Sequence, residues 1–146
     1  MDQATIYSRE RLSQAATCQE EVMAADENSS ADQIERSLIE IAVESWKFSR
    51  IFARVVNKLD AGEAGRYVNQ LRYFQKKVEQ NLDAAGLKLV NVEGHVFDPG
   101  MAASPLNIED FGPEDALLVD QMVEPIIMGP DGLKKQGTVM LRKVQA

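Results

Sequence analysis

Asp60-Ala61-Gly62-Glu63 separates two stretches of helical periodicity. Its D-x-x-E pattern is a capping box, in which the Asp carboxylate accepts from an N–H three residues on and the Glu reaches back to the cap. One helix therefore stops here and another begins. Upstream, Ile34, Leu38, Ile41, Ser45, Phe48, Phe52, Val55 and Leu59 recur at alternating steps of four and three, the 3.5-residue repeat of helices that pack along a seam. Ile39, Trp46 and Ala53 run beside that stripe, and Ala42 and Val56 lie on its other flank. So wide an apolar surface predicts burial of more than one face. Ser30 with Gln33 three residues on reads as a capping box too and predicts the start of this helix at Ser30.

Downstream of Glu63, Ala64, Tyr67, Val68, Leu71, Phe74, Val78 and Leu82 share one helical face, and Gly86 is placed to end the helix in the left-handed conformation. So short a connection makes the two helices antiparallel neighbours. One hairpin leaves the wide stripe partly uncovered. Two copies forming a four-helix bundle cover it, so a homodimer is expected, with Ile34, Leu38, Ile41, Phe48, Phe52, Val55 and Leu59 at the interface. The alternative is a monomer whose stripe packs on its own C-terminal part. Residues 1–29 do not continue the repeat; Leu12, Ala15, Ala16, Gln19, Val22 and Met23 give only a weak strip, read as a marginal helix or flexible acidic arm. Cys18 on that strip reads as a spectator, because nothing nearby in sequence lowers its pKa.

The 146 residues carry a formal charge of -7. Residues 1–33 hold 2 basic and 7 acidic side chains, residues 34–85 hold 9 and 7, and residues 86–146 hold 5 and 9. The acidic surplus thus flanks a slightly basic helical middle and lacks the clustered Lys and Arg that phosphate neutralisation needs, so no nucleic-acid partner is expected. One His and one Cys cannot build a zinc tetrad or an internal disulfide, and neither a metal nor another cofactor is expected. With the only His outside the helices, the carboxylate pair Glu40 and Glu44 cannot recruit the E-x-x-H partners of a di-iron bundle, and no enzymatic chemistry is expected. No run approaches the length of a membrane span, and Met1-Asp2-Gln3-Ala4 does not open a secretory leader. A soluble cytoplasmic protein without membrane partners is the expectation.

After Gly86 the period changes, and residues 86–146 contain seven of the nine Gly and all five Pro. Leu87, Leu89 and Val92 read as a short strand, Glu93-Gly94 as a turn and His95-Val96-Phe97 as its return. Leu117-Leu118-Val119 and Met122 to Met128 are apolar runs of strand length, the second demoted by Pro125 to an edge strand or one carrying a bulge. Gly129-Pro130-Asp131-Gly132 is a strong turn, and Val139, Leu141 and Lys143 alternate with Thr138, Met140 and Arg142 as on a strand with one buried face. The fold class is α+β: a helical hairpin over 30–85 that forms a dimeric four-helix bundle, then a small, mostly antiparallel β-domain over 86–146.

This order of parts, with Gly94-His95-Val96-Phe97-Asp98-Pro99 opening the β-domain and Gly137-Thr138-Val139-Met140-Leu141-Arg142-Lys143 closing it, resembles GrpE. The G-x-x-F-D-P motif of that family is similar to Gly94, Phe97, Asp98 and Pro99 here. The resemblance departs where the family has a His after the motif, since this chain has Ala102-Ala103-Ser104, and where the family has a Pro before the last strand, here Lys134-Lys135-Gln136. GrpE proteins are exchange factors for DnaK-type chaperones. The resemblance implies a co-chaperone that binds the chaperone's nucleotide-binding domain and promotes ADP release without a catalytic side chain. Contact candidates are Ile108, Asp110 and Phe111 in an acidic loop, Glu124, Pro125, Ile127 and Met128 on the run beside Pro125, and Leu133 after the Gly-rich turn. For the loop and the run alike, the competing reading is that their apolar side chains plug the small β core. His95 reads as a turn residue, and Arg50, Arg54, Lys58, Lys76 and Lys77 as a solvated helix face. The alternative function is a dimeric coiled-coil adaptor without exchange activity.

Overall fold

The computed structural model describes the backbone of residues 3–145 and the side chains of residues 23–145. Residues up to Ser37 form one unit and those from Leu38 onward a second. Helix α1 runs Gln3–Val56 and α2 Ala61–Ala84; the strands are β1 Lys88–Val90, β2 Ala103–Pro105, β3 Leu117–Glu124, β4 Ile126–Gly129, β5 Gly132–Lys135 and β6 Gly137–Lys143. The class is α+β, two helices followed by a small domain of one antiparallel and one mixed sheet.

The helix start expected at Ser30 is corrected: α1 passes through Ser30 without interruption. No Gly or Pro falls between Gln3 and Val56. Asn, Ser and Asp inside a helix cost only tenths of a kcal/mol each, so a capping pattern without a breaker does not end one. Within this stretch Ser37 Oγ donates back to the Gln33 carbonyl at 3.0 Å, the local bond that lets a Ser sit in a helix interior. Met23 is exposed; the other side chains of the N-terminal apolar strip, and Cys18, lie outside the described residues.

The other two signals hold. Asp60 caps α2, its Oδ1 accepting from Glu63 N at 3.0 Å. At the far end Gly86 takes φ 75°, Gly86 N donates to Asp83 O at 2.9 Å and Leu87 N to Leu82 O at 2.9 Å. That pair of bonds is the Schellman motif, and Leu82 and Leu87, both buried in one cluster, supply its apolar clasp.

The sheets are ordered β1-β4-β5 and β2-β6-β3. Pro125 separates β3 from β4, and the chain changes sheet there, because Pro has no N–H for a ladder. The edge-or-bulge expectation for Met122–Met128 holds only before Pro125: β3 is an edge strand with register shifts between Val119 and Gln121 and between Met122 and Glu124, whereas β4 is the central strand of the other sheet. Gly129 pairs with Gly132 across the Pro130-Asp131 turn. Along β6, Gly137, Val139 and Leu141 are buried, as the alternation predicts. One expectation is corrected. His95-Val96-Phe97 does not return along β1; it lies beside β3, with Phe97 N donating to Leu117 O, Val119 N to His95 O and Gly94 N to Val119 O. β1 pairs with β4 instead. The β-domain is mostly antiparallel, as expected, with β2 alone running parallel to its neighbour β6.

Two apolar clusters hold the second unit. Val119, Met122, Ile126, Val139 and Leu141 centre the first, with Trp46, Phe97 and Phe111 packed against it. Ala42, Val43, Leu82, Leu87 and Ile127 form the other, which ties α1, α2 and β4 together. The face of α1 used internally is therefore the flank with Ala42, Val43, Trp46, Ser49 and Val56, joined by Leu38 from the heptad stripe.

Candidate partner-binding surfaces

The heptad stripe divides into two rows. Leu38, Phe52 and Leu59 are half-buried. Ile34, Ile41, Phe48 and Val55, spaced by seven, are 67%, 63%, 60% and 52% exposed. Ile51 lies exposed beside them, a residue the sequence reading passed over because it is off the repeat. Phe48 stacks on Phe52 at 6.1 Å, and Phe52 meets the edge of Tyr67 of α2 at 6.4 Å. An aromatic ridge thus runs across the hairpin with its outer member in solvent. Isolated apolar residues on a surface are ordinary, whereas a row at heptad spacing is the pattern of a helix seam.

On the β-domain the expected contact residues separate. Ile108 is 43% exposed and begins a 3-10 turn, Ile108–Asp110, whose Glu109 and Asp110 are also exposed. Leu106, 61% exposed, precedes it. Phe111 instead packs against the first core cluster. The loop is built by Asn107: its Nδ2 donates to Leu141 O and its Oδ1 accepts from Leu141 N, both at 2.9 Å. After Leu106 N has bonded to Val139 O, this side chain continues the ladder along β6 that the backbone leaves. Asp115 closes the loop. Its Oδ2 accepts from Gly112 N at 2.8 Å and pairs with Lys143 at 3.3 Å. The Gly112 N–H holds its carboxyl below the usual range; desolvation opposes it, and Lys143 adds to the lowering. Glu109, Asp110 and Glu114, all exposed, are the acidic set of the same loop.

The run beside Pro125 is corrected as a contact surface. Pro125 and Ile127 are buried, Ile127 completely, because β4 is the central strand of its sheet and faces the α1–α2 hairpin. Met128 packs against the first cluster. Glu124 is half-buried: it accepts from Thr138 Oγ1 at 3.0 Å and faces Lys47 at 3.4 Å and Lys135 at 4.0 Å. Burial raises its pKa, but the Thr138 hydroxyl and the two ammonium groups outweigh that and hold it below the ordinary value. Leu133, 50% exposed on β5, remains available to a partner.

The motif residues have structural work to do. Gly94 needs φ 80°, Phe97 enters the core, and Asp98 Oδ1 accepts from Gly100 N at 2.9 Å to shape the turn that contains Pro99. His95 is exposed.

The sequence reading missed the contact between α1 and β3. Trp46 Nε1 donates to Met122 O at 3.3 Å, Arg50 lies over the Trp46 ring at 5.0 Å, and Arg50 Nη2 pairs with Glu93 Oε1, which also accepts from Met122 N at 2.9 Å. Desolvation, with a smaller contribution from nearby Arg54, lowers the pKa of Arg50. Beside this contact a cleft of about 210 Å³ opens between α1, α2 and the end of β1, lined by Ser45, Trp46, Arg50, Phe74 and Asn91 among others.

Among the described residues no group of three or more His, Cys, Asp or Glu is placed to hold a metal ion. Among them, too, no helix is long and apolar enough to cross a membrane. Comparison of the chain with protein-family models, with curated proteins and with solved structures finds no match.

Proposed function

We propose that this chain is a GrpE-like co-chaperone: a homodimer joined through the exposed heptad row, whose β-domain binds the nucleotide-binding domain of a DnaK-type chaperone and promotes ADP release. The observation that carries the reading is that the second unit leaves two separate apolar features in solvent. One is the row Ile41, Phe48 and Val55 on α1; the other is Leu106 and Ile108 within the acidic set of the β-domain. The first suits a second copy of the helix, and the second suits a partner with a basic, apolar-edged surface. Such a protein needs no catalytic group. It shifts the chaperone's equilibrium by binding the open, nucleotide-releasing form more tightly than the closed one.

The test is stopped-flow release of a fluorescent ADP analogue from a panel of DnaK-type chaperones. Accelerated release by the full chain, lost when residues 86–146 are deleted, supports the proposal. No acceleration with any member of the panel rejects it. The second reading is an adaptor that tethers other proteins through its helices. It is favoured by the 54 residues of α1, more than a hairpin with the 24 residues of α2 requires. An adaptor keeps its partners when residues 86–146 are removed.

A further inference from the structure

β3 is an edge strand, and the backbone groups it turns away from β6 need partners. At Leu117 and Val119 they are taken by the backbone of Gly94, His95 and Phe97. At Met122 no strand is present. Side chains substitute: Glu93 Oε1 accepts from Met122 N at 2.9 Å, and Trp46 Nε1 donates to Met122 O at 3.3 Å. Met122 Sδ accepts from Val92 N at 3.2 Å, so this one residue is gripped at three atoms. Arg50 completes the arrangement by pairing with Glu93 and lying over Trp46. Both α1 residues therefore reach the β-domain through one residue, Met122, at its bulged corner. A second link, Lys47 to Glu124 at 3.4 Å, lies two residues further on. The cleft between α1, α2 and the end of β1 runs alongside, so close packing does not hold Trp46 and Arg50 on that flank.

We propose that Trp46 and Arg50 are positioning residues that fix the orientation of the β-domain on α1 through Glu93 and the backbone of Met122. Resting on the exchange-factor reading, the consequence is specific. A β-domain held at a fixed angle transmits its binding energy to the chaperone, whereas one that swivels binds and yields. Loss of the clasp then separates binding from action.

The experiment compares the full chain with Arg50→Gln, Trp46→Phe and the charge-conserving Arg50→Lys. Measured are affinity for a DnaK-type chaperone, release of its fluorescent ADP analogue, and amide hydrogen exchange over residues 117–124. Arg50→Gln is expected to bind within about twofold of the parent and to accelerate release about tenfold less, the factor that one charge-assisted contact carries. Its Met122 amide should exchange faster, and Arg50→Lys, which keeps a cation facing Glu93 and leaves Glu93 Oε1 to accept from Met122 N, should restore both readouts in large part. Parent-like release by Arg50→Gln, or affinity falling in step with release, overturns the proposal. Should the parent itself accelerate release from no chaperone, the exchange-factor reading fails separately. The amide data then decide the clasp: unchanged protection of Met122 in both Arg50→Gln and Trp46→Phe overturns it, and faster exchange there supports it.

Discussion

Asn107 and Leu141 exchange two hydrogen bonds, one side-chain amide against one backbone unit, both at 2.9 Å. The carboxamide imitates a residue of a neighbouring strand and pairs β6 beyond the point where β2 ends. Asn107→Ala leaves the N–H and C=O of Leu141, a buried residue, without those partners. The expected loss is about 1–3 kcal/mol of unfolding free energy, read from urea denaturation followed by far-UV circular dichroism. A loss below about 0.5 kcal/mol, the level of an ordinary surface substitution, would show that water replaces the amide.

Gly86 and Gly137 are expected to resist alanine for different reasons. At Gly86 the φ of 75° is the obstacle, and a Cβ there also lies 3.1 Å from Pro130 Cγ; Gly86→Ala should cost about 1 kcal/mol or more. Gly137 has no such φ but is buried, and a Cβ would come within 2.8 Å of Ile126 Cγ1 and 3.1 Å of the Glu124 carbonyl. Gly137→Ala should therefore cost about 1–3 kcal/mol by overpacking. Removing the clashing atom distinguishes them: in an Ile126→Ala background, which lacks Cγ1, Gly137→Ala should cost less than in the parent and Gly86→Ala the same, as a double-mutant cycle on thermal unfolding will show.

The exposed row on α1 predicts the oligomeric state. Burying Ile41 and Phe48 against a second copy is worth roughly 1.5–3 kcal/mol for each side chain. Ile41→Glu with Phe48→Glu should therefore weaken self-association at least about a hundredfold while leaving the circular dichroism of the β-domain unchanged. Sedimentation velocity across a concentration series is the measurement. A parent chain that sediments as a monomer at micromolar concentration rejects the dimer.

Acid should destabilise the second unit through Glu124 and Asp115. Both carboxyls have folded-state pKa values below their ordinary values of 4.5 and 3.8. A depressed carboxyl pKa contributes stability that is complete above the unfolded pKa and is lost as pH falls through the folded one. Unfolding free energy should thus be flat from pH 7 to about 5 as far as these groups are concerned and decline below pH 4.5. Glu124→Gln should lower stability at neutral pH and flatten that decline; a parallel decline in parent and variant would place the acid sensitivity elsewhere.

How much of this was legible depends on the range of the interaction. Asp60 and Gly86 were readable because a cap is a local contract between neighbours: a carboxylate and an N–H three residues apart, or a φ that only Gly adopts easily. Ser30 misled for the same reason in reverse, since its pattern permits a helix start without forcing one. The strands β2 and β5 left little trace, because three or four residues carry no period and take their conformation from β6 and β4. In the contact candidates, apolar character alone could not sort Ile108, which faces solvent, from Ile127, which lies at the centre of a sheet. The Trp46–Met122 bond joins residues 76 positions apart, and no spacing rule reaches that far.

Trp46 is the only tryptophan in the chain, and the structure sets its indole against the Met122 carbonyl of β3, where helix meets sheet. Intrinsic emission excited at the red edge of the band therefore comes from a single place. Its wavelength and its quenching by soluble agents follow the opening of that one junction, without a label and without averaging over other sites. The protein carries its own optical gauge at the point where its two kinds of secondary structure meet.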